Sequence, residues 1–354
     1  MKPSPLSGMM LTLAVVATPA LAANNTLRLL TWADYAPRDV IEQFKKETGI
    51  TVEVTLSNNE EIISKLRATG GSGFDLVQPS QDRIVSAQKE FRIYKPMDLS
   101  RVNGQLFIPA MLDATKKITA LDGKVYGLPY TWGTDGLVVN TKTAQVVDYT
   151  DLCKPEYAGK VSMRLKRPTL LAFAFALGKD PFKAYGNPQQ YAALMNEVGD
   201  KLISCKKNVK YYFENKDQML GDLRSGSLAA AMMWDSGGWK LSGEVPAIKF
   251  VAPRSGAMGW VDTFALPARG KNDDAAYKWI NFTMRPEVAA RIAKSVGNFT
   301  ASQGADKLAD PRLKAQFAES FPESALKRVN WYPAVPAGLE EIEGRVLDRV
   351  KAAG

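Results

Sequence analysis

Short apolar strands alternate with amphipathic helices along most of this 354-residue chain, and this alternation constrains the fold more than any other feature. Near the start, Thr26 to Thr31 and Thr51 to Leu56 have the pattern of strands, and a helix is predicted between them from Pro37 to Glu47. Such alternation favours parallel sheets that helices cover on both faces. Because ligands of these sheets bind at the carboxyl ends of the strands, the sequence predicts an α/β fold with a site there.

The first 25 residues have the pattern of an export signal. Lys2 gives a basic start, Met9 to Ala17 is apolar, and Ala20-Leu21-Ala22 is a small-x-small cleavage site. The sequence therefore predicts a signal peptide at residues 1–22, with cleavage near Ala22. The apolar run is too short for a permanent membrane anchor, so we expect passage through the inner membrane into the periplasm.

The mature chain would hold about 330 residues, which is enough for two lobes with separate cores. Two segments, Tyr126 to Tyr130 and Gly136 to Asn140, have the pattern of consecutive strands near a crossing between the lobes. We therefore expect the chain to pass from one lobe to the other near these two segments.

Composition excludes several classes of function. The net charge of +9 could suggest an acidic partner, but the basic residues are scattered, so nucleic acid is not expected to bind. The chain has no histidine, which excludes Ser-His-Asp and Cys-His nucleophile systems and the usual zinc sites. No GxSxG motif occurs either. We therefore expect no enzymatic activity, no cofactor and no metal.

The two cysteines, Cys153 and Cys205, are predicted to form a disulfide, because an even count in an exported chain favours pairing. A loop of roughly 50 residues would gain about 4 kcal/mol of stability in the chain-entropy treatment. The alternative is two separate buried thiols.

Distinctive stretches follow one another along the mature chain: LLTWADYAPRDVIEQFKKETGI, FDLVQPS, YGLPYTWGTDGLVVN, KPEYAGKV, AMMWDSGG, WVDTFALPARGKNDDAAYKWINFTMRPEVAA and a final helix. Together they resemble the periplasmic solute-binding proteins of ABC transporters, and above all the polyamine (spermidine/putrescine) branch. The resemblance implies a type II two-lobe α/β fold with the ligand in the cleft, on which the lobes close. It assigns residues 24–137 and 266–312 to lobe 1, and 138–265 and 313–354 to lobe 2.

The same resemblance implies a monomer that is not an enzyme and that delivers its ligand to an ABC permease in the inner membrane. It also implies a binding site in which aromatic side chains hold the alkyl chain and carboxylates hold the amines. The implied ligand contacts are Trp32, Tyr35, Ser80, Trp234, Trp260 and Asp262. Asp262 is the main carboxylate candidate, while Asp82, Asp135 and Asp235 are further ones. Asp235 is equally well explained as a solvated turn residue or a helix cap.

One segment departs from the polyamine branch, whose members carry acidic residues after the strand that follows KPEYAGK. This chain has SMRLKRPT there, with Arg164, Lys166 and Arg167. These cations would repel the far end of a diamine and favour an anion, and arginine suits a carboxylate because its fork donates two parallel hydrogen bonds. Thr169 could add a hydroxyl and backbone N–H groups at the start of the next helix. Alternatively, these side chains point into solvent.

An acidic end and a basic end together predict a ligand with an amine at one end and an acid at the other. The main hypothesis is an ω-amino acid, 4-aminobutyrate or 5-aminovalerate, whose two ends must both be paired when buried. Arg167, or else Arg164, would hold the acid. The alternatives are a polyamine binder with shifted carboxylates and a binder of 2-aminoethylphosphonate. An iron site at Tyr211-Tyr212 is disfavoured by the absence of histidine and the Trp-rich cleft.

Overall fold

The computed structural model describes residues 25–214 and 216–353, so the predicted signal peptide at residues 1–22 lies outside the described residues. Fifteen strands and fourteen helices are present in those two ranges. The strands are β1 (Thr26–Thr31), β2 (Thr51–Leu56), β3 (Leu76–Val77), β4 (Tyr94–Lys95), β5 (Ala120–Leu121), β6 (Lys124–Val125), β7 (Leu128–Asn140), β8 (Val161–Met163), β9 (Val209–Tyr212), β10 (Ala230–Trp234), β11 (Ile248–Val251), β12 (Met258–Phe264), β13 (Leu266–Pro267), β14 (Phe299–Thr300) and β15 (Asn330–Trp331).

The helices are α1 (Arg38–Thr48), α2 (Asn59–Ala68), α3 (Ile84–Phe91), α4 (Pro109–Ile118), α5 (Arg167–Ala176), α6 (Pro188–Ser204), α7 (Lys216–Ser225), α8 (Asp235–Glu244), α9 (Asp273–Thr283), α10 (Pro286–Val296), α11 (Ala305–Leu308), α12 (Pro311–Ser320), α13 (Glu323–Leu326) and α14 (Leu339–Ala352). Among the described residues, no helix combines the length and the apolar character that crossing a membrane requires.

Lobe 1 is built around a parallel sheet with the strand order β2-β1-β3. Helix α1 covers it with a buried stripe that includes Val40 and Phe44, as the helical spacing of these apolar residues predicts. The ring of Phe44 packs edge-on against Trp279 of α9, with 5.0 Å between the ring centroids. The core of this lobe therefore lies between its sheet and the helices α1 and α9.

Lobe 2 is built around a mixed eight-stranded sheet whose main order is β15-β12-β7-β10-β8-β9, with β11 and β14 also paired to β7. Its core includes Leu137, Phe173 and Tyr191, which are fully buried. The predicted disulfide is present, and Cys153–Cys205 closes a loop of 52 residues in this lobe. It joins the segment before β8 to the C-terminal end of α6.

Two antiparallel strands, β7 and β12, pass from one lobe to the other. Tyr130 and Phe264 belong to the core of lobe 1, whereas Leu137 and Met258 belong to that of lobe 2. The prediction of two consecutive strands at Tyr126–Tyr130 and Gly136–Asn140 was wrong, because one 13-residue strand runs through this region. Strand β7 stays extended through this region because it pairs with β12 along nearly the whole length of β12.

Candidate functional site

A cavity of about 550 Å³ lies between the lobes. Its lining includes ten of the predicted ligand contacts: Trp32, Tyr35, Ser80, Asp82, Asp135, Arg164, Arg167, Trp234, Trp260 and Asp262. Thr169 and Asp235 are not part of the lining. Trp32, Ser80 and Trp234 follow or end the parallel strands β1, β3 and β10, so the cavity lies at the carboxyl ends of strands, as the rule for α/β sheets predicts.

The carboxylate of Asp262 is held by two neutral hydroxyl groups. Ser80 Oγ donates to its Oδ1 and Tyr35 Oη donates to its Oδ2, each over 2.5 Å. Ser80 is itself held by Asn59, whose amide bonds both the hydroxyl and the backbone N–H of Ser80 at 2.9 Å. The register of β12 against β7 shifts between Asp262 and Thr263, and such irregularities commonly direct a side chain toward a site.

Burial raises the pKa of Asp262 to about 7, even though the hydrogen bonds from Ser80 and Tyr35 act in the opposite direction. The nearby charge of Asp82 contributes to the increase. Burial and the proximity of Asp262 raise the pKa of Tyr35 well above its ordinary value, so Tyr35 stays protonated and remains a donor. The site therefore holds an oriented carboxylate that is paired with no cationic side chain among the described residues.

Aromatic rings form the walls around this carboxylate. The indole N–H of Trp32 donates to the backbone oxygen of Gln78 at 2.7 Å, which fixes its ring. The indole of Trp260 lies over Gly133, its pairing partner on β7. A Cβ atom at position 133 would be only 2.6 Å from this indole ring. Only glycine at position 133 leaves room for the indole. Trp234 completes the aromatic lining from the end of β10.

Asp135 supplies a second buried carboxylate to the cavity. Its side chain forms no hydrogen bond or ion pair with any residue that the structure describes. Burial raises the pKa of Asp135 to about 7, Asp235 and Asp262 add to this increase, and Arg164 opposes it. Asp135 is therefore a second carboxylate that is open to a ligand.

Asp235 and Thr169 have structural partners instead. The carboxylate of Asp235 accepts hydrogen bonds from the backbone N–H and hydroxyl of Thr134, both at 2.8 Å, from Ser236 N at 2.7 Å and from Asn298 Nδ2 at 2.5 Å. These bonds fasten the start of α8 to β7. Asp235 is therefore a buried structural residue in the first turn of α8, and not a solvated turn residue. The hydroxyl of Thr169 donates to the backbone oxygen of Arg164 at 2.5 Å and so stabilises the turn before α5.

The two arginines of the basic segment have different environments. Arg164 lies over the ring of Trp234, with 4.9 Å between the guanidinium carbon and the ring centroid. Its guanidinium makes no hydrogen bond or ion pair within the described part of the chain, and its Nε is buried without a partner. Lys166 between them is 40% exposed and lies 4.0 Å from Glu214.

Arg167, in contrast, is fully paired with side chains of the protein. Its Nη1 donates to Asp82 at 2.9 Å, its Nε donates to Glu343 at 3.1 Å, and its Nη2 donates to the hydroxyl of Tyr185. Burial opposes the charge, but Glu343, Tyr185 and Asp82 raise the pKa of Arg167 well above its ordinary value. A ligand carboxylate at this fork would compete with these partners. The guanidinium of Arg164 has no such partners among the described residues.

Sequence reasoning missed Glu343, Tyr185 and Tyr332. Tyr332 lines the cavity and its ring lies 5.5 Å from the guanidinium of Arg167. Glu343 is 176 residues from Arg167, so no local motif could connect the two. One signal was available, because Glu343 lies on the buried stripe of α14, where an unpaired acid would be costly.

Ion pairs between the lobes surround the cavity. Arg83 precedes α3, and its Nη1 lies 2.9 Å from the carboxylate of Glu340 on α14. Its Nη2 lies 3.6 Å from the carboxylate of Glu60. At the mouth, Asp34 and Lys216 are 3.7 Å apart and about half exposed. The cleft is therefore closed by charge pairs at its rim as well as by the buried Asp82–Arg167 pair.

Comparison with known proteins agrees with this architecture. The sequence pattern of the family "Bacterial extracellular solute-binding protein" matches residues 39–319. A spermidine/putrescine-binding periplasmic protein of Escherichia coli (strain K12) is 32% identical over 322 residues, which cover 89% of this chain and 88% of that protein. The putrescine-binding periplasmic protein PotF of the same organism is 30% identical over 330 residues, with coverage of 87% and 85%.

Among solved structures, the spermidine/putrescine ABC transporter substrate-binding protein PotD from Streptococcus pneumoniae matches with a TM-score of 0.75 and 25% identity. The match covers 93% of this chain and 99% of that one. It confirms the predicted two-lobe α/β fold of a periplasmic binding protein. Because the relatives are binding components of transporters, the prediction that this chain is not an enzyme is also confirmed.

Proposed function

The chain belongs to the family of bacterial extracellular solute-binding proteins and is the solute-binding component of an ABC importer, and from this premise we propose that its ligand is a polyamine. It would work in the periplasm, the compartment given in the names of its relatives. There it would capture the amine between its lobes and deliver it to a permease in the inner membrane.

The observation that carries this proposal is the environment of Asp262. An ammonium group leaving water needs an opposite charge and hydrogen-bond acceptors, and a buried carboxylate that the protein leaves unneutralised provides both. Tyr35 and Ser80 orient this carboxylate without adding positive charge. The faces of Trp32, Trp234 and Trp260 suit methylene groups and attract cations.

Asp135 supports a place for a second ammonium group. It is buried in the same cavity, and its charge and that of Asp262 are close enough to affect each other. Burial is the main cause that disfavours ionised Asp135, and the charge of Arg164 only partly offsets it. A ligand with two ammonium groups would therefore stabilise the ionised forms of both Asp262 and Asp135. A diamine therefore pairs with the open carboxylates of this cavity.

A second candidate ligand class is favoured by one observation, the unpaired guanidinium of Arg164. An ω-amino acid such as 4-aminobutyrate or 5-aminovalerate could place its amine at Asp262 and its carboxylate at Arg164, and 2-aminoethylphosphonate could place its phosphonate there. The hydrogen bonds from Arg167 to Glu343 and Asp82 make this side chain, the first candidate for holding an acid, a less favourable partner for a ligand carboxylate. The proposal therefore takes the polyamine as the ligand and the ω-amino acid as its competitor.

The limits of the lobes are part of the proposal. We take 24–137 with 266–312 as lobe 1 and 138–265 with 313–354 as lobe 2. This division is supported by Phe107 and Ala301, which pack in one core, and by Val139 and Val346, which pack in the other. At the crossing strands the cores overlap it by a few residues, since Leu137 packs in the core of lobe 2 and Phe264 in that of lobe 1. The protein would act as a monomer.

Titration calorimetry on the purified protein tests the ligand class. The panel consists of putrescine, spermidine, 4-aminobutyrate, 5-aminovalerate and 2-aminoethylphosphonate, each measured with wild type and with Arg164→Gln. Lys166→Gln is the matched control, because it removes a neighbouring positive charge that is largely solvated. We expect an amine without an acid group to bind most tightly, and Arg164→Gln to leave its affinity equal or higher. Tightest binding of an ω-amino acid, abolished by Arg164→Gln, would overturn the proposal.

A further inference from the structure

The buried cluster around Arg167 joins three separate parts of the chain at the wall of the cavity. Asp82 precedes α3 in lobe 1, Arg167 is the first residue of α5, and Glu343 lies on α14. The side chains of Arg167, Asp82 and Glu343 are only 10%, 5% and 4% exposed. Tyr191 also donates to Glu343, at 2.5 Å. The cluster thus contains two carboxylates and one cation that belongs to the protein itself.

Asp82 would otherwise be a third acidic group for a ligand. It lines the same cavity as Asp262 and Asp135, and it lies close enough to Asp262 for the two charges to interact. Arg167 neutralises it through a direct hydrogen-bonded ion pair. Around the mouth, three further acids are each within ion-pair distance of a basic side chain: Asp34 with Lys216, Glu60 with Arg83, and Glu214 with Lys166.

We propose that Arg167 is a built-in counter-cation that occupies the position of an additional ligand ammonium and so restricts the cavity to amines with two charged nitrogens. Putrescine and cadaverine belong to this class, whereas spermidine and spermine do not. The inference rests on the proposed function and adds the number of charges that the ligand carries.

The physical reason is the cost of burying an ammonium group without a partner. The third ammonium of spermidine would lie beside Asp82, which already has its cation, and it would face the positive charge of Arg167. Glu343, the second carboxylate of the cluster, is not part of the cavity lining. Diamines avoid this contact, because Asp262 and Asp135 can take both of their ammonium groups. When the charge at position 167 is removed, Asp82 and Glu343 become acceptors for a cation supplied by the ligand.

The test compares the dissociation constants of putrescine and spermidine in four proteins by calorimetry: wild type, Arg167→Met, the double variant Asp82→Asn/Arg167→Met, and Lys183→Met. Methionine keeps an unbranched apolar stem without the charge. Lys183→Met is the matched control, since it removes a charge from lobe 2 at a side chain that is 84% exposed and outside the cavity lining. Circular dichroism establishes that each variant is folded.

We expect wild type and Lys183→Met to bind putrescine at least tenfold more tightly than spermidine. In Arg167→Met, the affinity for spermidine should rise, so that the ratio of the spermidine to the putrescine dissociation constant falls at least tenfold. The double variant Asp82→Asn/Arg167→Met should lose this gain in spermidine affinity. If Arg167→Met does not fold, Arg167→Gln takes its place. If neither variant folds, the inference is judged from the ratio of the spermidine to the putrescine dissociation constant of wild type. Equal binding of both amines by wild type would overturn this inference alone, while binding of neither would overturn the proposed function as well.

Discussion

The two acidic regions of the cavity use the same chemical group in opposite ways. At Asp262 the protein surrounds the carboxylate with neutral hydroxyl donors, whereas at Asp82 it supplies the guanidinium of Arg167. Both carboxylates are buried. The comparison shows that a buried acid is a binding group for cations only where the surrounding donors orient it without cancelling its charge.

This difference has an energetic consequence for the empty protein. Burial raises the pKa values of Asp262 and Asp135 to about 7, so the unliganded cavity holds its acids partly protonated near neutral pH. A cationic ligand favours the ionised forms and would displace those protons on binding.

The largest expected effect comes from neutralising the open acidic region, which consists of the carboxylates of Asp262 and Asp135. Asp262→Asn should weaken putrescine binding more than tenfold, since the loss of a charged partner from a buried ammonium is on the order of 2–5 kcal/mol. Calorimetry with putrescine measures this loss directly. The matched control is Asp113→Asn, which makes the same chemical change at a side chain that is 67% exposed on α4. An unchanged dissociation constant for Asp262→Asn would remove this residue from the site.

A smaller effect should follow from pH. Because Asp262 and Asp135 have raised pKa values of about 7, each carboxylate that must be ionised should improve affinity for a diamine about tenfold between pH 6 and pH 8. The stability of the ligand-free protein should change in the opposite direction. For acids with raised pKa values, stability present at low pH is lost as the pH rises through about 7.

Calorimetry at pH 6, 7 and 8 tests the binding part of this prediction, and thermal unfolding of the ligand-free protein tests the stability part. No histidine in the sequence contributes to titration in this range, which simplifies the interpretation. An affinity that does not depend on pH would mean that both carboxylates are already ionised in the empty protein, so that the ligand displaces no protons when it binds.

The smallest effect is expected at the exposed rim. Asp34 and Lys216 are separated by 3.7 Å across the mouth, and exposed ion pairs typically contribute about 0–1 kcal/mol. Lys216→Ala should therefore weaken putrescine binding by less than about fivefold at low salt. The effect should disappear at high ionic strength, where exposed charges are screened. A loss as large as that of Asp262→Asn would show that the rim, and not the buried carboxylate, dominates capture.

Much of the fold and of the open acidic region around Asp262 was expected from the sequence, the fold through local patterns and the site residues through a family resemblance. Strand and helix periodicity predicted β1, α1 and β2 within one residue. The resemblance to polyamine-binding proteins implied Trp32, Ser80, Trp234 and Asp262 as site residues, and the positions of Trp234 and Trp260 at strand ends supported this assignment. Such assignments succeed because the carboxyl ends of neighbouring strands meet in space.

The paired acidic region, in which Arg167 binds Asp82 and Glu343, could not be predicted in the same way. The basic segment suggested a site for an anion, but the partners of Arg167 lie 85 residues before it and 176 residues after it. Only the packing of α14 against lobe 2 brings Glu343 to the guanidinium. A charge in a sequence predicts a binding partner poorly when a distant part of the same chain can neutralise it.

The most direct test of the central claim is a crystal structure of the protein with putrescine, grown near pH 8. We predict one ammonium nitrogen within hydrogen-bonding distance of Asp262, the methylene chain between Trp234 and Trp260, and the second nitrogen beside Asp135. Arg167 should still be paired with Asp82 and Glu343. A structure in which Arg167 has moved away and a ligand ammonium lies against Asp82 would contradict the division of the cavity into an open and a paired acidic region.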